Sequence, residues 1–160
     1  MKKIKAAFFD RDGTIIKDVS YLSNIFQVEI IPGVIEFCLD LQKQGYTLFV
    51  VTNQSGVARG FFTESFVTET HKYINKLFEE KGVFFKKWYL CPHHPEFGGK
   101  IDCDCRKPKP GMLLTAAKEH NIDLTKSLMI GDALRDQQAG EAAGCKSIYI
   151  QDVAGDFDLM

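Results

Sequence analysis

Short, largely uninterrupted apolar runs, with residues at helical spacing between them, constrain this chain most. They are AAFF at 6–9, TLFVV at 47–51, FKKWYL at 85–90, SLMI at 127–130 and SIYI at 147–150. Apolarity that is continuous rather than alternating marks strands covered on both faces. Between them, Val34, Phe37, Cys38 and Leu41 form one helical stripe that stops at Gly45. Thr63 is placed to cap a second helix, with Phe66, Val67, Thr70, Ile74, Leu77 and Phe78 on its stripe and Gly82 beyond it. Pro110 opens a third helix, and DALRDQQAGEAAG gives a fourth that ends at Gly144. Strand and helix alternating through right-handed crossovers predict an α/β fold: a doubly wound, mainly parallel, five-stranded sheet with helices on both faces. The 160 residues are expected to form one domain, 1–160, with a loose acidic tail from about residue 151.

In such sheets ligands gather beyond the carboxyl ends of the strands. Asp10 follows the first run, Thr52 the second, Cys91 the third and Asp132 the fourth. Within FFDRDGTII, Asp10 and Asp12 stand one residue apart. Asp-Gly between apolar runs is also a hairpin signal, and Gly13 is compatible with both readings. Extended alternation places Asp10 and Asp12 on one side and directs Arg11 away. These carboxylates, with Asp132, suit a hard cation such as Mg²⁺, which would relieve their mutual repulsion. Asp10, nearest the strand end, is the candidate nucleophile toward phosphorus. Asp12 is the candidate acid for the departing alcohol and then base for water. Thr52 in TNQSG and Lys107 in RKPKPG are candidates to hold the transferring phosphoryl group.

The segment CPHHPEFGGKIDCDC, 91–105, brings together Cys91, His93, His94, Cys103 and Cys105. Three thiolates plus one imidazole, that of His93 with His94 as the alternative, suit a closed, tetrahedral, structural Zn²⁺ site. Metal there would brace the loop that carries Arg106 and Lys107. Cys38 and Cys145 read as core, and His71 and His120 as surface or structural residues of helices. Five cysteines behind an N-terminus too short in apolar residues for a leader suggest reduced thiols in the cytoplasm. A net charge of −1 gives no general attraction to nucleic acid. No apolar run approaches the ~18 residues of a membrane span. The partners expected are therefore a small molecule, with neither nucleic acid nor membrane, and the chain is expected to be a monomer.

DRDGT, VVTNQSG, RKPKPG and IGDALRD, in that order, resemble the four motifs of the haloacid dehalogenase-like phosphohydrolases across nearly the whole chain. The resemblance implies an aspartyl-phosphate on Asp10, with Asp12 as acid/base. It implies Mg²⁺ on the carboxylates of Asp10 and Asp132 and the backbone carbonyl of Asp12, with Asp136 supporting these ligands from behind. The intervals at 11–46 and after the third strand leave no room for a large cap domain. Within the family, TNQSGVARG, CPHHP and CDCRKPKPGM are similar to the branch acting on heptose bisphosphates, with the histidinol-phosphate phosphatases as its rival. That likeness implies a phosphorylated sugar held by Asp18, Val19, Ser20, Tyr21, Thr52, Asn53, Gln54, Ser55, Arg106 and Lys107. Arg59 would either contact phosphate or pin its own loop. Ile16 and Ala133 depart from that branch, which often carries Asn and a basic residue there.

Overall fold

The computed structural model describes residues 2–19, 22, 24–97 and 103–153. Its strands are β1 (Ala6–Phe9), β2 (Thr47–Asn53), β3 (Phe85–Cys91), β4 (Leu128–Gly131) and β5 (Lys146–Tyr149). Its α-helices are α1 (Val34–Lys43), α2 (Glu64–Glu79), α3 (Gly111–His120) and α4 (Leu134–Ala143). The sheet runs β3-β2-β1-β4-β5, and every pairing is parallel. The chain winds outward from β1 to β3 and then returns to the other side of β1 for β4 and β5. The carboxyl ends of β1 and β4 therefore flank the point where the winding reverses, where open α/β sheets bind ligands.

The continuous apolar runs are explained by two cores. Ala7, Phe9, Leu48, Val50 and Ile130 face one, while Ala6, Phe8, Phe49, Val51 and Met129 face the other. Phe8 stacks on Phe49 with ring centroids 5.5 Å apart. Each fully buried Phe of this kind contributes about 1.5–3 kcal/mol of transfer free energy, which fixes the register in which β1 delivers Asp10. Between β1 and α1, Ile16 pairs antiparallel with Ile30, and Lys17 donates to the Glu29 carbonyl at 2.8 Å. Ile15 and Ile16 of this hairpin are buried in the first core.

Several boundaries differ from the sequence reading for local reasons. Ser127 precedes β4 instead of opening it, because its hydroxyl accepts from Ala6 N at 2.9 Å and donates to the Asp123 carbonyl at 2.7 Å. Ile150 belongs to a short 3₁₀ turn, Ile150–Asp152, and not to β5. Of the expected loose tail, 154–160 lies outside the described residues, while Gln151 Nε2 donates to the Asp132 carbonyl at 3.1 Å. On α2, the Thr63 hydroxyl accepts from Phe66 N at 3.0 Å, as a cap should. Its buried face is Val67, Thr70, His71, Ile74 and Phe78. His71, four residues after Val67 and three before Ile74, lies on the apolar stripe, a place that counting only apolar residues misses.

Candidate active site

Asp10 directly follows β1 as a buried carboxylate whose Oδ1 accepts from Arg11 N at 2.8 Å and lies 2.9 Å from Lys107 Nζ. Lys107, 1% exposed, also donates to Asp136 Oδ1 at 2.7 Å and to the Val51 carbonyl at 2.9 Å. Burial alone would lower the Lys107 pKa, but the charges of Asp10 and Asp136 outweigh it and hold the ammonium above its usual value. An anion pair and a carbonyl thus satisfy all three of its donors. Removing Lys107 would strand the buried charges of Asp10 and Asp136.

Asp132, after β4, has one carboxylate oxygen in reach of Asp10 and Asp136, the three lying within 4.8 Å of one another. Burial first, and then repulsion from Asp10 and Asp136, pushes its pKa up to about 6. Such a cluster is destabilised near neutrality until a cation joins it, and the oxygen-only donor set suits a hard divalent ion. Asp136 is drawn away from that role: its Oδ2 accepts from Ala133 N at 3.1 Å, capping α4, and its Oδ1 holds Lys107. Gly13 brings the two walls together. Its φ of +79° lies in the left-handed region, and a Cβ there would overlap the Asp132 carboxylate.

Asp12 sits in a different environment. Arg11 Nε donates to its Oδ1 and Arg11 Nη2 to its Oδ2, both at 3.1 Å, and Gln54 Nε2 donates to Oδ2 at 3.0 Å. The expectation that Arg11 points away from the carboxylate pair is therefore corrected. The chain leaves extended geometry after Phe9, and the guanidinium folds onto its neighbour as a two-pronged fork. Behind it, His71 Nε2 lies 3.2 Å from Arg11 Nη1. Arg offers only donors, so Nε2 accepts and the imidazole is neutral. Burial first, and the Arg11 charge second, lower the His71 pKa to about 3. The ring lies against Trp88, centroids 4.4 Å apart. His71 and Arg11 thus fix where the Asp12 carboxylate sits, a support that the motifs did not reveal.

Thr52 is fully buried, and its hydroxyl accepts from Gln54 Nε2 at 2.8 Å. Asn53 and Lys107 clamp each other: Asn53 Nδ2 donates to the Lys107 carbonyl at 3.1 Å, and Lys107 N donates to Asn53 Oδ1 at 2.9 Å. A cavity of about 280 Å³ opens beside Asp12, and of the anticipated substrate residues Asp18, Asn53, Gln54 and Ser55 line it. Arg11, Leu22, Phe62 and Arg135 complete much of its wall, and the motifs singled out none of them. Val19 packs on the core below the site, while Ser20 and Tyr21 lie outside the described residues. Arg106 is not in this wall and donates from Nη1 to the His93 carbonyl at 3.0 Å. The Arg59 guanidinium lies 5.2 Å from the ring centroids of both Phe61 and Phe97, which ties the loop after β2 to the cysteine loop.

In that loop Cys91, His93, Cys103 and Cys105 place one ligand atom each within 4.8 Å of one another. His93 Nδ1 is 3.3 Å from the Cys105 sulfur and 3.5 Å from that of Cys91, and the Cys91 and Cys103 sulfurs are 3.6 Å apart. The neighbouring His94 turns elsewhere, accepting from Glu96 N at 3.0 Å. All five cysteines are free, and Cys38 and Cys145 are buried in the core. Residues 98–102 of the loop lie outside the described residues.

In sequence and in fold the chain is similar to known phosphatases. A model of the HAD-hydrolase-like family matches residues 104–153. The D-glycero-beta-D-manno-heptose-1,7-bisphosphate 7-phosphatase of Pasteurella multocida is 47% identical over 148 residues, 91% of this chain and 80% of that protein. A Mesorhizobium loti structure described as a HAD-like phosphatase superposes with a TM-score of 0.87 at 33% identity, over 97% of this chain and 84% of that one. The D,D-heptose 1,7-bisphosphate phosphatase of B. bronchiseptica, crystallised with magnesium and phosphate, gives 0.80 at 32% identity, over 90% of this chain and 79% of that one. A parallel sheet that delivers paired aspartates, a threonine, a lysine and a further acidic pair to one edge thus has kin along nearly its whole length, and the chain belongs to the haloacid dehalogenase-like family of phosphatases.

Proposed function

We propose that this enzyme removes the 7-phosphate of D-glycero-D-manno-heptose 1,7-bisphosphate, a step in making nucleotide-activated heptose for lipopolysaccharide or surface glycans. The near-half identity to a heptose bisphosphate phosphatase, over most of both chains, carries the choice of sugar. In this reading Asp10 Oδ2 attacks phosphorus in line with the departing sugar oxygen. Lys107 and Arg11 N already hold Oδ1, so the carboxylate is oriented before substrate arrives. Asp12, fixed by Arg11 and Gln54, protonates the leaving oxygen and then takes a proton from the water that opens the aspartyl-phosphate. The Thr52 hydroxyl binds the phosphoryl oxygens, and the Lys107 ammonium, fixed beside Asp10, offsets their growing charge.

The carboxylates of Asp10 and Asp132, with the Asp12 carbonyl, would hold Mg²⁺, which supplies further positive charge to the transferring group. Cys91, His93, Cys103 and Cys105 would hold Zn²⁺, with no ligand position left for substrate. Asp18, Asn53, Gln54 and Ser55 bind the sugar in this reading, with Arg106 at its margin. Arg59 pins its loop instead of meeting phosphate. No helix among the described residues is long and apolar enough to cross a membrane, and we assign the reaction to the cytoplasm, where the thiols stay reduced.

Phosphate release measured across heptose 1,7-bisphosphate, histidinol phosphate, fructose 1,6-bisphosphate and a 3′-phosphorylated oligonucleotide tests the substrate. The heptose compound is expected to have the highest kcat/KM, by about tenfold or more. A higher value for histidinol phosphate would overturn the choice of sugar and leave the chemistry standing.

A further inference from the structure

The cations around the site are nearly all engaged by the protein itself. Lys107 is enclosed by two carboxylates and a carbonyl, and Arg11 by Asp12 and His71. Lys109 Nζ donates to the Cys103 carbonyl at 2.9 Å, and Arg106 Nη1 to that of His93 at 3.0 Å. Arg59 is flanked by two aromatic rings. Arg135 differs from all of these. It stands in the first turn of α4, is exposed, and lines the cavity beside Asp12. Among the described residues it makes neither a hydrogen bond nor an ion pair, and its charge favours the ionised form of Asp132. The other ionisable groups of that wall are Arg11, already neutralised, and the acidic Asp12 and Asp18. Among the described residues of this wall, a dianionic group entering the cavity meets one uncommitted cation, Arg135.

We propose that Arg135 forms a second phosphate subsite, taking the phosphate of a sugar bisphosphate that is not transferred and so setting a preference for bisphosphates over monophosphates. This rests on the sugar bisphosphate reading above. A guanidinium presents two parallel N–H donors to a phosphate, which fixes the far end of the sugar as well as attracting it. The effect belongs in KM, because a phosphate that is neither attacked nor displaced is held equally before and during the reaction.

The experiment compares kcat/KM for heptose 1,7-bisphosphate with that for heptose 7-phosphate, in the parent chain, R135A and R135K. The same ratio is taken for fructose 1,6-bisphosphate against fructose 6-phosphate. R135A is expected to raise KM for the bisphosphate about tenfold and to lower the bisphosphate preference by the same factor, and R135K to recover part of it. A preference unaltered by R135A in both pairs overturns the subsite, as does an equal loss on mono- and bisphosphate. If the heptose pair is not turned over but R135A collapses the fructose ratio, the subsite stands and the heptose reading fails.

Discussion

Asp10→Asn should release phosphate at least about 10⁴-fold more slowly than the parent enzyme, with the fold retained. The amide oxygen can still accept from Arg11 N, but it carries no charge and no longer attacks phosphorus. Two features argue that the protein tolerates the change. Lys107 keeps its contacts with Asp136 Oδ1 and the Val51 carbonyl. The burial of Asp132 is also aggravated by the charge of Asp10, so removing that charge relieves repulsion in the cluster. The midpoint of thermal unfolding should therefore stay level or rise while turnover collapses. Steady-state phosphate release and a circular-dichroism melt on the same preparation check both halves. Turnover within tenfold of the parent would show that Asp10 does not attack.

Losing the cysteine-site metal should be nearly as damaging, but by a different route. The purified protein should carry about one zinc, and Cys103→Ser should remove it. Cys103 is buried against Cys91, and desolvation raises the pKa of Cys91, so without a cation the two thiols sit as poor occupants of a polar loop. Structural zinc contributes several kcal/mol, and a domain of this size loses about 2–4 °C of midpoint per kcal/mol, so Cys103→Ser should melt about 10 °C or more lower. Activity should fall with it. The loop carries Arg106 and Lys107, the His93 carbonyl accepts from Arg106, and Asn53 clamps Lys107 to the end of β2. Elemental analysis, a melt and kcat/KM decide this. A metal-free protein with the parent's melt and activity would remove the loop's structural role.

The parts that were legible in the sequence share a physical trait: each depends on short-range pattern. Continuous apolar runs require cover on both faces, and the two cores supply it. The strand-end rule brought Asp10, Thr52 and Asp132 to one edge without any knowledge of contacts. His71 and Arg135 escaped because their importance depends on what lies opposite them. His71 comes from α2, where a polar residue on the inner face needs a buried partner, and that partner, Arg11, is 60 positions away. Arg135 looks like any charged residue in a first turn until the cavity wall is assembled around it. The direction of Arg11 was misread because strand alternation was extended past Phe9, where the chain had already turned. The choice between His93 and His94 depended on side-chain direction, which a pair of adjacent histidines does not encode.

The account depends most on covalent capture of the phosphoryl group by Asp10. Rapid acid quench of the Mg²⁺-loaded enzyme within its first turnover, followed by peptide mass spectrometry, reads this directly. One phosphoryl group should appear on the peptide containing Asp10, accumulate further in Asp12→Asn, and be absent from Asp10→Asn. Phosphate released in that first turnover with no label on the Asp10 peptide, in either the parent or Asp12→Asn, would contradict it.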